Sequence, residues 1–228
     1  MNNRKYAFSL DPDIVNHKDY YWILKKKQAN RRKTLQEIDR IIKNKEQLLS
    51  GSISEKNVCL IGHSQLDQWN ITDLAGYKVR NCGVSGITSF EYYDKILRRG
   101  LLKCDSDCYI VMHGTNDIVW DYSIYEIVES IKRTIEYIKN YNNKAHIFFV
   151  SCIHVNDRLD RNNARIDCLN SELKDELKED VIWIDTSFLN NSNGELDKLY
   201  TNDGLHLSEA GYELFRERIE LTMKRIGL

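Results

Sequence analysis

"NVCLIGHSQLDQW", residues 57–69, opens as an apolar strand and stops at Gly62-His63-Ser64. The run Val58-Cys59-Leu60-Ile61 shows no polar alternation, the pattern of a strand covered on both faces. A small residue, an imidazole and a hydroxyl then follow in succession. Either Gly62 opens an ordinary strand-to-helix turn with Ser64 as a helix N-cap, or the turn presents Ser64 as a nucleophile. The choice depends on whether a base and oxyanion donors occur elsewhere in the chain.

Beyond Asn57 apolar runs alternate with amphipathic ones. Strands are expected at Val58–Ile61, Lys78–Asn81, Cys108–His113, His146–Ser151 and Val181–Ile184. Thr88-Ser-Phe-Glu91 and Ser123-Ile-Tyr-Glu126 are capping boxes, opening helices that run to about Gly100 and Tyr141. Further helices are expected over 163–179 and after Ser208, where Leu214, Phe215, Ile219 and Met223 recur at helical spacing. Alternating strands and helices imply a parallel sheet with helices on both faces, and ligands beyond the carboxyl ends of its strands.

The chain has 228 residues, 42% hydrophobic and 29% charged, enough for one large α/β domain. Mean hydropathy is -0.53, and no apolar run approaches the roughly 18 residues of a membrane span. No integral membrane association is expected. The six cysteines (59, 82, 104, 108, 152, 168) form no C-x-x-C pair. With no apolar signal-like stretch at the start, a reduced cytoplasmic protein is the expectation.

The formal net charge of -1 conceals an asymmetry: residues 1–50 hold twelve Lys and Arg against six Asp and Glu. Within them Leu35, Ile38, Ile41, Ile42 and Leu49 form one helical face, and 51–57 reads as a linker. The division is therefore a basic helical extension over 1–56 and a main domain over 57–228. A helix with such a face must bury it, on its own domain or in a homodimer. The expectation is a structural or dimerising appendage that stands apart from the chemistry. Lys25-Lys26-Lys27 through Arg31-Arg32-Lys33 suggests an anionic polymer or membrane surface, but solvated faces of packed helices are far commoner. No nucleic-acid partner is expected.

Four strand-to-loop junctions carry candidate chemistry: Gly62-His63-Ser64, Asn81-Cys82-Gly83-Val84-Ser85-Gly86, His113-Gly114-Thr115-Asn116-Asp117 and Thr201-Asn202-Asp203-Gly204-Leu205-His206. Each alone is ordinary turn chemistry. Together they supply a hydroxyl (Ser64), a base (His206), a carboxylate to orient it (Asp203) and donors for an oxyanion. Those donors are the Ser64 and Gly83 backbone N–H groups and the Asn116 amide. An α/β-hydrolase elbow requires G-x-S-x-G, whereas position 66 is Leu. No H-x-H or H-E-x-x-H supports a metal site. His63, His113 and His154 are expected to line the substrate pocket or to satisfy local hydrogen bonds.

These blocks resemble those of the SGNH (GDSL-type) hydrolases, in the branch similar to platelet-activating-factor acetylhydrolases. The resemblance covers about residues 57–226. It rests on Ser64, Gly83, Gly114-Thr115-Asn116-Asp117 and Asp203-Gly204-Leu205-His206, in the family's order. His63 stands where the family has Asp. The resemblance implies a flavodoxin-like three-layer α/β/α sandwich with a five-stranded parallel sheet. It also implies a serine esterase using a Ser64–His206–Asp203 triad without a cofactor. The expected substrate is a short acyl ester, in the first place an O-acetylated sugar or glycan, with lysophospholipids and thioesters as open alternatives. An acyltransferase with the same triad and a binding protein with a decayed site are the competing readings.

Overall fold

The computed structural model describes residues 20–51, 56–103, 105–158 and 160–228, with side chains from 28 onward. The Lys25–Lys27 and Tyr20–Trp22 side chains, and Cys104, lie outside the described set. Helices α1 (Tyr20–Asn44) and α2 (Glu46–Ser50) precede strand β1 (Asn57–Gly62). Then come α3 (Ser64–Asp67), β2 (Asp73–Leu74), β3 (Tyr77–Asn81), and α4 (Ser89–Tyr92), which continues as a π-helical turn through Leu97. Next are β4 (Cys108–Met112), α5 (Thr115–Val119), α6 (Ile124–Tyr141) and β5 (His146–Val150). The chain closes with α7 (Asn163–Leu177), β6 (Ile182–Ile184) and α8 (Glu209–Arg225).

The sheet has six strands in the order β2-β3-β1-β4-β5-β6, one more than expected. All pairings are parallel except β2 with β3, a hairpin pairing Leu74 with Tyr77. Its turn, Ala75-Gly76, takes positive φ at both residues (52° and 83°), the geometry that matches strand twist in a two-residue hairpin. The other five strands fall where the apolar runs place them.

Every β1 and β4 residue is buried, and successive side chains point to opposite faces. Cys59, Ile61, Tyr109, Val111, Ile147 and Phe149 join one apolar cluster, with Ile127, Ile131 and Ile135 of α6 and Leu169 and Leu173 of α7. Val58, Leu60, Ile110, Met112, Phe148 and Val150 join another with Phe215, Ile219 and Met223 of α8. This makes three layers, helices–sheet–helices. Both capping boxes form: Thr88 with Glu91, and Ser123 with Glu126.

The apolar face of residues 35–49 turns inward on the same chain. Ile38 and Leu49 belong to the first cluster, and Leu35, Ile41 and Ile42 pack against it. Polar contacts fix the same helix. Arg31 pairs with Glu91 and stacks 4.5 Å over the Trp120 ring, and Lys95 Nζ lies 2.6 Å from Asp39.

Candidate active site

Parallel register brings the carboxyl ends of three strands together. Leu60 lies beside Asn81, and Gly62 beside Met112. The chain leaves β1 first toward β3 on one side and later reaches β4 on the other, so this edge is a topological switch point, where α/β sheets bind ligands. The loops after β1, β3 and β4 carry Ser64, Gly83–Gly86 and Asn116. The loop before α8 supplies Asp203 and His206.

Ser64 Oγ lies 3.0 Å from His206 Nε2, and His206 Nδ1 lies 2.7 Å from Asp203 Oδ2. Asp203 Oδ1 also accepts the backbone N–H groups of Leu205 and His206, at 2.9 and 2.7 Å. Burial pushes the Asp203 carboxyl up, but the hydrogen bonds from His206 and from these two amides prevail and hold it down at about 2. Asp203 is therefore a carboxylate throughout the neutral range. It fixes the tautomer with the Nδ1 proton toward itself, leaving Nε2 to accept from Ser64.

Gln65, the next residue after the hydroxyl, clamps the histidine loop. Its Nε2 donates to Leu205 O at 2.6 Å and its Oε1 accepts from Leu207 N–H at 3.3 Å. Tyr212 of α8 donates to Gln65 O at 2.9 Å.

Asn116 sits in α5 behind Gly114, whose φ of 121° suits glycine; a Cβ there would lie 2.7 Å from Cys152 Sγ. Asn116 Nδ2 donates to Ile87 O at 3.0 Å, and Arg161 Nη2 donates to Asn116 Oδ1 at 3.2 Å. With its oxygen held, the amide keeps its second N–H for the cleft. Asp117 braces the motif by accepting from Ser89 N–H at 3.0 Å and Ser89 Oγ at 2.6 Å.

A cleft of about 480 Å³ opens over these groups. Ser64, Gln68, Asn116, Arg161, Leu205 and His206 line it, together with Ser85 and Gly86. Lys33, Thr34 and Glu37 of α1 form the remaining wall. The extension thus contributes to the site, contrary to the expectation that it stands apart. The signal was absent from the hydrophobic pattern because these three residues lie beside the buried face.

Several expected site residues are elsewhere. The Gly83 N–H is committed to Asn81 Oδ1 at 3.1 Å, while Gly86 (φ 78°) reaches the cleft, close to Thr34. Among the described residues no acceptor within the chain takes the backbone N–H of Ser64 or Gly86. Ser64, Gly86 and Asn116 therefore carry N–H groups without an acceptor among the described residues, whereas that of Gly83 is occupied. His63 is 2% exposed and faces Gln65 N–H through Nδ1 at 3.5 Å, as a helix N-cap; His113 is wholly buried. Burial holds the His63 pKa well below 6.5 and brings that of His113 to about 3, so both stay neutral behind the nucleophile. His154 bonds Asp167 at 2.7 Å and Asn190 at 3.1 Å, tying α7 to the 190–194 loop. None of the three lines the cleft.

A strand-end hydroxyl with a hydrogen-bonded imidazole and carboxylate is the arrangement that activates a serine for acyl chemistry. The GDSL-like Lipase/Acylhydrolase family model matches residues 63–214, and the chain belongs to this family, whose reaction class is ester hydrolysis. Its fold is shared with a Streptococcus pneumonia protein provisionally described as a platelet activating factor: TM-score 0.76, 24% identity, 86% of this chain and 97% of that one. A GDSL-like lipase from Bacteroides thetaiotaomicron aligns with TM-score 0.66 and 21% identity over 82% of this chain and 97% of its own. A carbohydrate esterase family 3 protein from Talaromyces cellulolyticus aligns with TM-score 0.60 and 15% identity over 75% and 97%. An N-acylneuraminate cytidylyltransferase from Escherichia coli is 34% identical over 172 residues, 75% of this chain and 41% of that protein. The chain spans about two fifths of that relative's length. No helix among the described residues is long and apolar enough to cross a membrane.

Proposed function

We propose that this acylhydrolase removes short acyl groups, acetyl above all, from hydroxyls of a sugar, with an N-acylneuraminate-type sugar acid as the substrate class. The hydrogen-bonded series Ser64–His206–Asp203 carries the reading. His206 Nε2 takes the Ser64 proton as Oγ attacks the ester carbonyl. The Ser64 and Gly86 N–H groups and the Asn116 amide hold the oxyanion of the tetrahedral intermediate. His206 then protonates the departing alcohol. Water, deprotonated in turn by His206, releases the acid and restores Ser64.

Substrate polarity follows from the cleft wall. Of its described side chains only Leu205 is large and apolar, so a long acyl chain finds no surface on which to bury. Hydroxyl, amide and charged groups dominate, as a sugar requires. The relative is named for N-acylneuraminate, and its 172 matched residues necessarily take in most of the acylhydrolase stretch 63–214. A matching stretch in a protein of that name supports acyl esters of the same sugar as substrates.

The test is acetate release from mono-O-acetylated N-acetylneuraminate, run beside acetyl, butyryl and octanoyl aryl esters, on wild type and Ser64→Ala. Expected are turnover of the sugar ester, a steep fall with acyl length and loss of both in Ser64→Ala. Preference for octanoyl, or turnover that survives Ser64→Ala, would refute the proposal.

A further inference from the structure

Arg161 is an unusual residue to find in such a cleft. Its side chain is only 7% exposed, yet it lines the same cleft as Ser64 and His206. Nη2 donates to Asn116, Nη1 pairs with Asp160, and the buried Nε has no partner in the protein. Asp160 cannot neutralise it fully, because Arg158 binds the same carboxylate through Nε and Nη2 at 3.0 Å each. Two guanidiniums thus share one carboxylate. Burial lowers the Arg161 pKa, which reflects the cost of keeping this charge out of water.

The opposite wall adds to the imbalance. Glu37 is engaged by Arg40, whose Nε lies 2.9 Å from it, and Asp203, whose charge also favours the Arg161 guanidinium, is hydrogen-bonded to His206 and two backbone amides. Lys33 is exposed at the rim, and no described carboxylate lies within ion-pair distance of it. A surplus of positive charge therefore faces the nucleophile from two sides of one cleft, in a protein whose formal net charge is -1.

We infer that Arg161, with Lys33 at the rim, is an anion site beside the reacting ester, and that it reads a carboxylate on the alcohol part of the substrate. A planar guanidinium suits a carboxylate, and a substrate charge there offsets the burial of the arginine. The inference rests on the sugar-acid reading above and assigns its recognition to named residues.

The competing role for Arg161 is to hold Asn116 and nothing more. Mono-O-acetylated N-acetylneuraminate and its carboxyl methyl ester separate the two, since they share sugar and acyl group and differ in charge. The readout is the ratio of kcat/KM for acid over methyl ester. Loss of support for Asn116 lowers both rates and cancels in the ratio. Arg161→Gln is expected to lower the ratio about 10- to 100-fold, mainly through KM, with partial recovery in Arg161→Lys. Lys33→Gln is expected to lower it a few-fold. In wild type, KM for the acid should rise with ionic strength while that for the methyl ester stays flat, a readout that needs no variant. An unchanged ratio in Arg161→Gln, or salt-insensitive KM for both, overturns the inference. The same ratio is read on 4-acetoxybenzoate and its methyl ester. If the sugar esters are not turned over, the sugar-acid reading fails, and the aryl pair still decides the anion site.

Discussion

Lys45 reaches from the end of α1 to Asp67, three residues beyond Ser64, with Nζ 2.6 Å from Oδ1. The same ammonium donates to Asn81 O at 3.1 Å and Gly83 O at 2.7 Å. Asp67 Oδ2 in turn accepts from Ser85 N–H at 2.8 Å and Ser85 Oγ at 2.5 Å. One residue of the extension thereby ties the nucleophile turn to the Gly83–Gly86 loop. Lys45→Met leaves two carbonyls and a carboxylate without their donor in a half-buried place, at a cost of about 1–3 kcal/mol. Urea melts should show that loss. Turnover of an aryl acetate should fall about 10-fold or more in the fraction still folded, and normal turnover there would show that the brace is only structural.

A serine-reactive fluorophosphonate should label the protein once, on Ser64. Asp203→Asn should lower kcat by about 10⁴-fold, because the histidine is then held in the wrong tautomer. Peptide mapping that places the adduct on Ser151 or Ser208 would move the nucleophile elsewhere.

Asn116→Ala should lower kcat by roughly 10²–10³-fold with little change in KM, the usual effect of removing one oxyanion donor. A merely structural asparagine would show a lower melting temperature and near-normal turnover by the native fraction.

Stability should fall on the acid side. His63 and His113 stay neutral in the native protein, so the unfolded chain takes up protons that the native one refuses as pH drops below 6.5, for His113 down to about 3. Their contribution is complete above pH 6.5 and is lost below it. Asp117 acts oppositely: burial, against the hydrogen bonds from Ser89, raises its pKa to about 6, so its ionisation costs stability as pH climbs from about 4 to 6. In that window His113 and Asp117 offset one another, so the net loss of stability on acidification comes from His63. His113→Phe, which retains a ring beside Tyr92, should flatten the slope. Urea midpoints between pH 4 and 7.5 measure it, and an unaltered slope would show that His113 does not control it.

Much of this was legible because burial leaves a pattern. Strands covered on both faces cannot disguise their apolar runs, so five of the six were readable, and both capping boxes marked true helix starts. The hairpin strand β2 was not, because its turn is Ala75-Gly76 and alanine rarely signals positive φ. Ser64, Asn116, Asp203 and His206 stood out because each lies at the start of a helix or in the loop leading into one. Gln65, Lys45 and Arg161 did not, since their roles consist of contacts to segments 140, 36 to 38 and 45 residues away in sequence. Gly83 and Gly86 are equivalent as letters; the commitment of the Gly83 N–H to Asn81 and the place of Gly86 in the cleft wall separate them.

The carboxylate of Asp203 captures the amides of Leu205 and His206 as well as the imidazole, all within four consecutive residues. The imidazole–carboxylate pair therefore forms by local chain contacts, at little loop-closure cost. What remains is a single distant closure, Ser64 to His206, across 142 residues of sequence. During refolding, competence for catalysis is expected to wait on the docking of the α8 segment onto the sheet through Gln65 and Tyr212. Recovery of activity should lag the recovery of sheet structure for this reason, and its rate should report that last docking step.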